Sequence, residues 1–262
     1  MRPHLATIEH WPLFAHVIAL ADLGLGQPAR SDLTLKHELR DRRRASITSL
    51  TGAMLSATRA TLLLADGKAT EAAELLATAP ATSQTRVARA RVALLSGEAE
   101  RVIATVAGID LDALSPRLFA ELQLLHASAA QHLGHADAAR AALGSAIAAL
   151  TEYGMRHPLA LVRGSDRRAL AELATPAERA LLLDDRIPEL LPRDVSMVAL
   201  THRERAVLER LALGGTLPEI AAELHISVNT LKTQLRAVYR KLGVGDREAA
   251  LVAAARHGLL RG

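Results

Sequence analysis

A stretch near the end of the chain carries basic and polar side chains at helical spacing. They recur every three or four positions and therefore share one face of a helix: Asn229, Lys232, Thr233, Arg236 and Arg240. Residues 228–242 include four basic residues and no acidic one. Ammonium and guanidinium groups donate hydrogen bonds to base edges and neutralise phosphates. The pattern predicts a surface that binds duplex nucleic acid.

The opposite face of the same helix is apolar, as it must be to pack on neighbouring elements. Its residues form one narrow stripe: Val228, Leu231, Leu235, Val238 and Leu242. Ser227 is placed to cap this helix and Gly243 to end it, while a shorter helix precedes it after Thr216. Two helices joined by a tight turn, the second basic on its outer side, meet the physical needs of a helix-turn-helix.

Capping signals place two further helices around this pair. Thr201 with Glu204, and Thr216 with Glu219, have the spacing of capping boxes, and Asp246 can cap a last helix. We expect Arg203 and Glu204 to serve capping and internal pairing rather than nucleic-acid contact. The last quarter of the chain is thus predicted to form four helices.

These residues resemble the LuxR-type helix-turn-helix over about 60 positions. The resemblance lies in three runs and a closing set: Leu200-Thr201-x-Arg203-Glu204, Glu219-Ile220-Ala221-x-x-Leu224-x-Ile226-Ser227-x-x-Thr230-Leu231-Lys232, Tyr239-Arg240-Lys241-Leu242-Gly243-Val244, and Arg247, Ala249, Gly258 and Leu259. The sequence departs from the family at Leu217-Pro218, where a polar residue is usual, and at Gln234, where histidine is usual.

The resemblance implies roles for individual residues. It implies that Lys232, Thr233 and Arg236 face bases. It places a second set near the DNA backbone: Asn229, Thr230, Arg240 and Lys241. It also implies that a helix at about 247–257 forms a homodimer contact on DNA.

Composition favours an all-α fold for the whole chain. Of the 262 residues, 52 are alanine and 47 are leucine, both strong helix formers, and aromatic residues are only 2%. Because cysteine is absent, disulfides and thiolate metal sites are excluded, which fits a cytoplasmic location. We expect neither a membrane span nor a signal peptide. The net charge of +4 arises from residues 199–262, which favours an anionic partner there.

Residues 1–157 show a repeat that is typical of stacked helical hairpins. Gly67, Gly97 and Gly134 each have a small residue seven positions before them and apolar residues five, nine and twelve positions after, and a weaker unit surrounds Gly26. The pattern resembles tetratricopeptide repeats, although the aromatic positions of that family are missing. A generic helical bundle is the alternative.

We therefore predict three regions. Residues 1–157 form the tetratricopeptide-like repeats, 158–198 form a proline-rich connector with short helices, and 199–262 form the helix-turn-helix domain. The arrangement resembles the large ATP-dependent LuxR regulators, but the chain lacks their P-loop motif, so ATPase activity is not expected. Three nearby histidines could suggest a metal site, yet no spacing completes one, and no cofactor is expected: His126, His132 and His135.

The leading hypothesis is a transcriptional regulator that binds double-stranded DNA, with the helical repeats as a module for sensing an effector or for oligomerisation. The alternative is an interaction scaffold, in which the repeats bind a protein partner and the helix-turn-helix is secondary. An enzymatic role finds no support, since no nucleophile, base and carboxylate are combined in a catalytic pattern.

Overall fold

The computed structural model describes residues 11–41, 50–191, 198 and 200–260, and this part of the chain is helical without any β-strand. The all-α prediction is confirmed. The helices are α1 Trp11–Gly24, α2 Pro28–Asp41, α3 Leu50–Ala65, α4 Ala69–Thr78, α5 Ser83–Leu95, α6 Ala99–Ala107, α7 Pro116–His132, α8 Ala136–Glu152, α9 His157–Ala160, α10 Gly164–Ala171, α11 Pro176–Leu182, α12 His202–Leu213, α13 Leu217–Glu223, α14 Val228–Leu242 and α15 Arg247–Arg256. No helix of the described residues is long and apolar enough to cross a membrane.

The chain divides into two compact units. The first comprises the described residues of 1–66 and 72–195, and the second comprises those of 67–71 and 196–262. Each unit has its own buried apolar core.

Helices α1 to α8 follow one another in pairs along the chain. The turns predicted at four glycines separate α1 from α2, α3 from α4, α5 from α6 and α7 from α8, and all four have a positive φ: Gly26, Gly67, Gly97 and Gly134. Glycine adopts this left-handed conformation without the steric cost that other residues bear. The first helices of successive pairs contact one another, α1 with α3, α3 with α5 and α5 with α7. The specific likeness to tetratricopeptide repeats stays a prediction.

The proline-rich segment after α8 is packed rather than extended. Leu159, Leu170, Leu182 and Ile187 are buried in one apolar cluster with residues of α7 and α8. Thr175 caps α11 through a capping box with Glu178, and Pro176 stands in the first turn, where its missing N–H is harmless. The described part of this segment therefore belongs to the core of the first unit.

A buried ion pair joins α5 to α7. Arg91 Nη2 lies 2.6 Å from Glu121 Oε2, and both side chains are only 4% exposed. Arg117 approaches the other oxygen of Glu121 at 3.2 Å. Burial alone would raise the pKa of Glu121, but the two guanidinium groups outweigh it and hold that pKa below its usual value.

The second unit contains α12 to α15 around two adjoining apolar clusters. Val207, Leu211 and Ile220 meet the buried face of α14 in one cluster. Leu208 and Ala254 share the other with Val238 and Leu242. The caps predicted for α12, α13 and α15 are present, since Thr201 and Thr216 form capping boxes and Asp246 caps α15.

Candidate nucleic-acid interface

The turn before α14 fixes the direction in which this helix leaves α13. His225 has φ of 53°, the left-handed region that residues other than glycine rarely adopt. Ser227 then caps α14, because its Oγ accepts a hydrogen bond from Thr230 N at 3.1 Å. The predicted cap is thus confirmed, and the first turn of α14 is held by its own side chains.

The buried face of α14 holds the helix against α12 and α13. Leu231 and Val238 are fully buried, Leu235 and Leu242 are nearly so, and Gly243 ends the helix in the left-handed conformation. Burying four large apolar side chains contributes roughly 1.5–3 kcal/mol each to stability. The outer face is therefore presented on a rigid support.

Three basic residues lie along the exposed face of α14. Lys232, Arg236 and Arg240 are exposed, and among the described residues their side chains have no hydrogen-bond or ion-pair partner. They are four residues apart, so the row extends over about 12 Å of helix. Without an internal partner, their charge is available to an anionic ligand.

Smaller polar residues flank this row. Asn229, Thr230 and Thr233 are exposed on the first two turns of α14. Thr233 Oγ1 donates to the carbonyl of Asn229 at 3.0 Å, and the hydroxyl groups of Ser227 and Thr230 lie 2.9 Å apart. Ser227, Asn229, Thr230 and Thr233 thus lie at the same end of α14 as Lys232.

Lys241 differs from the other basic residues of α14 because it has an internal partner. Its Nζ donates to Glu204 Oε2 at 2.7 Å, and the Lys241 side chain is 32% exposed while that of Glu204 is 7% exposed. Burial alone would raise the pKa of Glu204, but hydrogen bonds from Lys241 and Thr201 outweigh it and lower that pKa. The internal role expected for Glu204 is confirmed.

The sequence did not predict a second contact, which joins the start of α15 to the end of α12. The guanidinium of Arg247, at the start of α15, donates to the carbonyls of Leu211 at 2.9 Å and Gly215 at 2.8 Å. Leu211 lies in the last turn of α12 and Gly215 just beyond its end, where a positive charge is favourable. No local signal shows this contact, because more than 30 positions separate the partners in the sequence.

Helix α15 combines a buried and an exposed side. Ala250, Ala253 and Ala254 are buried, whereas Val252 is 66% exposed. Val252 therefore lies on the side of α15 that faces away from the core of its unit.

The comparison with known families agrees with this geometry. Residues 198–254 match the model of the family described as bacterial regulatory proteins, luxR family. The C-terminal unit contains a LuxR-type helix-turn-helix domain. The match includes α12, α13 and α14 and most of α15, so it covers the elements that form the exposed basic face.

Curated relatives of the LuxR-type domain are bacterial regulators. The chain is 51% identical over 61 residues to the probable transcriptional regulatory protein NarL of Mycobacterium tuberculosis, a match that covers 23% of this chain and 28% of that protein. It is 38% identical over 87 residues to a nitrate/nitrite response regulator protein homolog of Haemophilus influenzae, over 32% of this chain and 42% of that protein. It is 44% identical over 52 residues to the CsgBAC operon transcriptional regulatory protein of Escherichia coli, over 20% and 24% of the two chains.

The chain therefore spans between about a quarter and two fifths of the length of these relatives. No solved structure gives a significant match. The family match, residues 198–254, lies within the second unit.

Proposed function

We propose that the chain is a transcriptional regulator that binds double-stranded DNA through the LuxR-type domain. The observation that supports this most directly is the exposed row of Lys232, Arg236 and Arg240 on a well-supported helix that carries no acidic residue. The names of the relatives agree with such a role. The proposed activity is binding rather than catalysis.

In the proposed complex, α14 enters the major groove. Lys232, Thr233 and Arg236 contact base edges and supply the sequence preference. The residues near the phosphates are proposed to be Ser227, Asn229, Thr230, Arg240 and Lys241. Because Lys241 also neutralises Glu204, its share in phosphate binding is smaller than that of Arg240.

We also propose that the protein binds DNA as a homodimer through α15. Val252 provides an exposed apolar side chain on this helix, and the exposed Ala255, three residues further along, is small enough to let a second helix approach closely. Two copies related by a two-fold axis would then read two related half-sites.

The helical first unit is proposed to act as a sensor or oligomerisation module of a cytoplasmic regulator. We propose that residues 1–157 form the repeats, 158–198 the connecting segment and 199–262 the DNA-binding domain. Support for a sensor comes from the cavities that the first unit contains.

Selection from a random duplex DNA pool with the purified full chain at near-physiological salt tests the proposal. The expected result is an enriched pseudo-palindrome whose half-sites lie about one helical turn, or a multiple of it, apart. The same selection with Lys232→Ala and Arg236→Ala together should lose the enriched motif, while the matched control Arg210→Ala, which removes an exposed arginine paired with Glu223, should retain it. Retention of DNA without any enriched sequence, by a well-folded protein, would contradict sequence-specific binding.

A further inference from the structure

A cavity of about 460 Å³ opens within the first unit beside the end of α1. It lies between α1, the start of α9 and the segment 184–190 that follows α11. Sites for small molecules in proteins commonly have volumes of about 300–1,000 Å³. The cavity is therefore large enough for a small organic ligand.

Apolar side chains form most of the lining. Leu20 contributes from α1, Ala160 from α9, and Ile187 and Leu190 from the segment after α11. Ala160 and Ile187 are buried, so this side of the cavity is part of the stable core. Such a lining favours a ligand that has an apolar body.

One positive charge in the cavity is not balanced. Arg186 and Asp184 neutralise each other through two hydrogen bonds of 2.8 and 2.9 Å. Arg156 is exposed and donates only to the carbonyl of the neighbouring Met155, at 3.2 Å. Asp184 also attracts Arg156, so the two arginines of the lining share one carboxylate and a net positive charge remains. The guanidinium group of Arg156 matches the geometry of a carboxylate.

His157 also lines the cavity, but the charged groups that act on its ring are those of the buried cluster of Glu121, Arg117 and Arg91. Its Nε2 is buried and makes no hydrogen bond within the described part of the chain. Burial and the nearby Arg117 and Arg91 outweigh the attraction of Glu121 and lower the pKa of His157, so the imidazole is neutral at physiological pH. Because Nε2 is closed off from the cavity, His157 contributes an uncharged wall and not a hydrogen-bond partner for a ligand.

We propose that this cavity binds a small amphipathic carboxylate. The carboxylate lies against the Arg156 guanidinium, and the apolar body lies against Leu20, Ile187 and Leu190. A single unbalanced charge suits a monoanion rather than a multiply charged phosphate. The few polar groups of the lining favour an acyl chain over a sugar. The site lies in the first unit, and its occupation can be measured whether or not the chain binds DNA.

Gly24 offers a way to close the cavity without disturbing the fold. It lines the cavity at the end of α1, and a Cβ added there would meet nothing within 4 Å. Gly24 is not among the glycines with a positive φ, so a side chain is tolerated by the backbone. Gly24→Leu should therefore fill the site while leaving the melting temperature unchanged or slightly higher.

Isothermal titration calorimetry of the full chain with octanoate and with 1-octanol tests the proposal. We expect octanoate to bind with a Kd of about 1 mM or below, and 1-octanol to bind at least about tenfold more weakly because it lacks the charge. Gly24→Leu should abolish octanoate binding and Arg156→Gln should weaken it about tenfold. Arg101→Gln, which alters an exposed arginine that pairs with Glu98, serves as the matched control and should bind as the unaltered chain does.

Two results would overturn the proposal. One is the absence of octanoate binding at several times 1 mM to the folded chain. The other is binding that is the same for octanoate and 1-octanol, or the same in Gly24→Leu and the unaltered chain. Since the titration contains no DNA, either result leaves the proposed DNA binding untouched, and failure of DNA binding leaves this site untouched.

Discussion

Lys241 at the end of α14 and Glu204 in the first turn of α12 form an ion pair of 2.7 Å. Glu204 also accepts a hydrogen bond from Thr201 N at 2.7 Å, so one carboxylate both caps α12 and holds α14. Among the four basic residues of α14, Lys241 therefore serves the internal structure of the LuxR-type domain, while the other three face outward. Substitution of Lys241 is therefore expected to change mainly stability, whereas substitution of the neighbouring Arg240 is expected to change mainly DNA affinity.

Lys241→Ala should lower the free energy of unfolding of the second unit by about 1–2 kcal/mol, because it leaves the buried Glu204 carboxylate without its cation. Glu204→Gln in the same chain should recover part of this loss, since a neutral amide needs no cation. Chemical denaturation of the single and double variants measures the coupling between the two residues. Additive losses in the two single variants would show that the pair does not contribute.

Lys232→Ala and Arg236→Ala should each cost about 1–3 kcal/mol in binding to the selected DNA site and should relax the preference at one base pair. Arg240→Ala should instead weaken binding to all sequences alike and lower the salt slope by about one. Fluorescence anisotropy at several salt concentrations measures both effects, with Arg210→Ala as the control. An unchanged sequence preference in both Lys232→Ala and Arg236→Ala would contradict base contact by α14.

Val252→Glu should impair dimer formation on DNA, because two like charges would meet at a two-fold related interface. Affinity for a duplex with two half-sites should fall by about tenfold or more, while affinity for a single half-site should stay the same. Electrophoretic mobility shift assays with the two duplexes distinguish these effects. Val252→Thr, which keeps the size of the side chain and adds no charge, is the matched control, and equal loss on both duplexes would argue against the α15 interface.

Stability of the first unit should decrease as the pH falls from about 6.5 to about 4. Burial and the nearby Arg117 lower the pKa of His16 from 6.5 to about 4, so in this range the unfolded chain binds a proton that the folded chain does not. The loss should be about 1–2 kcal/mol after allowance for the partial exposure of His16. Denaturation at a series of pH values measures it.

His16→Asn is the variant that isolates this effect. His16 Nδ1 lies 2.7 Å from Thr58 Oγ1, and Thr58 already donates to the carbonyl of Met54 at 2.9 Å, so an amide donor can replace the imidazole N–H. The pH dependence should become shallower in His16→Asn and stay the same in His135→Asn, at an exposed position. If stability depends on pH equally in His16→Asn and His135→Asn, groups other than His16 cause the loss of stability.

Local features of the sequence predicted much of the fold. Thr201, Thr216, Ser227 and Asp246 are helix caps because a cap is decided by residues three positions apart. The buried stripe of α14 was likewise evident from its period. Such features depend on residues that are close together in the sequence, so they can be predicted without knowing how the helices pack.

Contacts between distant residues could not be predicted in this way. Lys241 with Glu204 and Arg247 with the carbonyl of Gly215 join positions that are 37 and 32 residues apart. Their geometry depends on how the helices pack, which a single sequence does not specify. The same holds for the cavity at Arg156 and His157, whose wall includes residues of α1. The base-contacting roles of Lys232 and Arg236 stay predictions.

The buried pair of Arg91 and Glu121 also constrains how this protein can diverge. Loss of Glu121 leaves Arg91 as an uncompensated charge in the core, at a cost of about 3–5 kcal/mol, and loss of Arg91 leaves Glu121 with only the partly exposed Arg117. Replacing Arg91 and Glu121 together by apolar residues of similar size can be neutral or favourable. A change at one of the two positions alone gives a destabilised protein, so an apolar pair cannot be reached by single substitutions without a poorly folded intermediate. Descendants of this chain should therefore keep both residues or exchange both, and the pair persists by inheritance even where an apolar core would serve equally well.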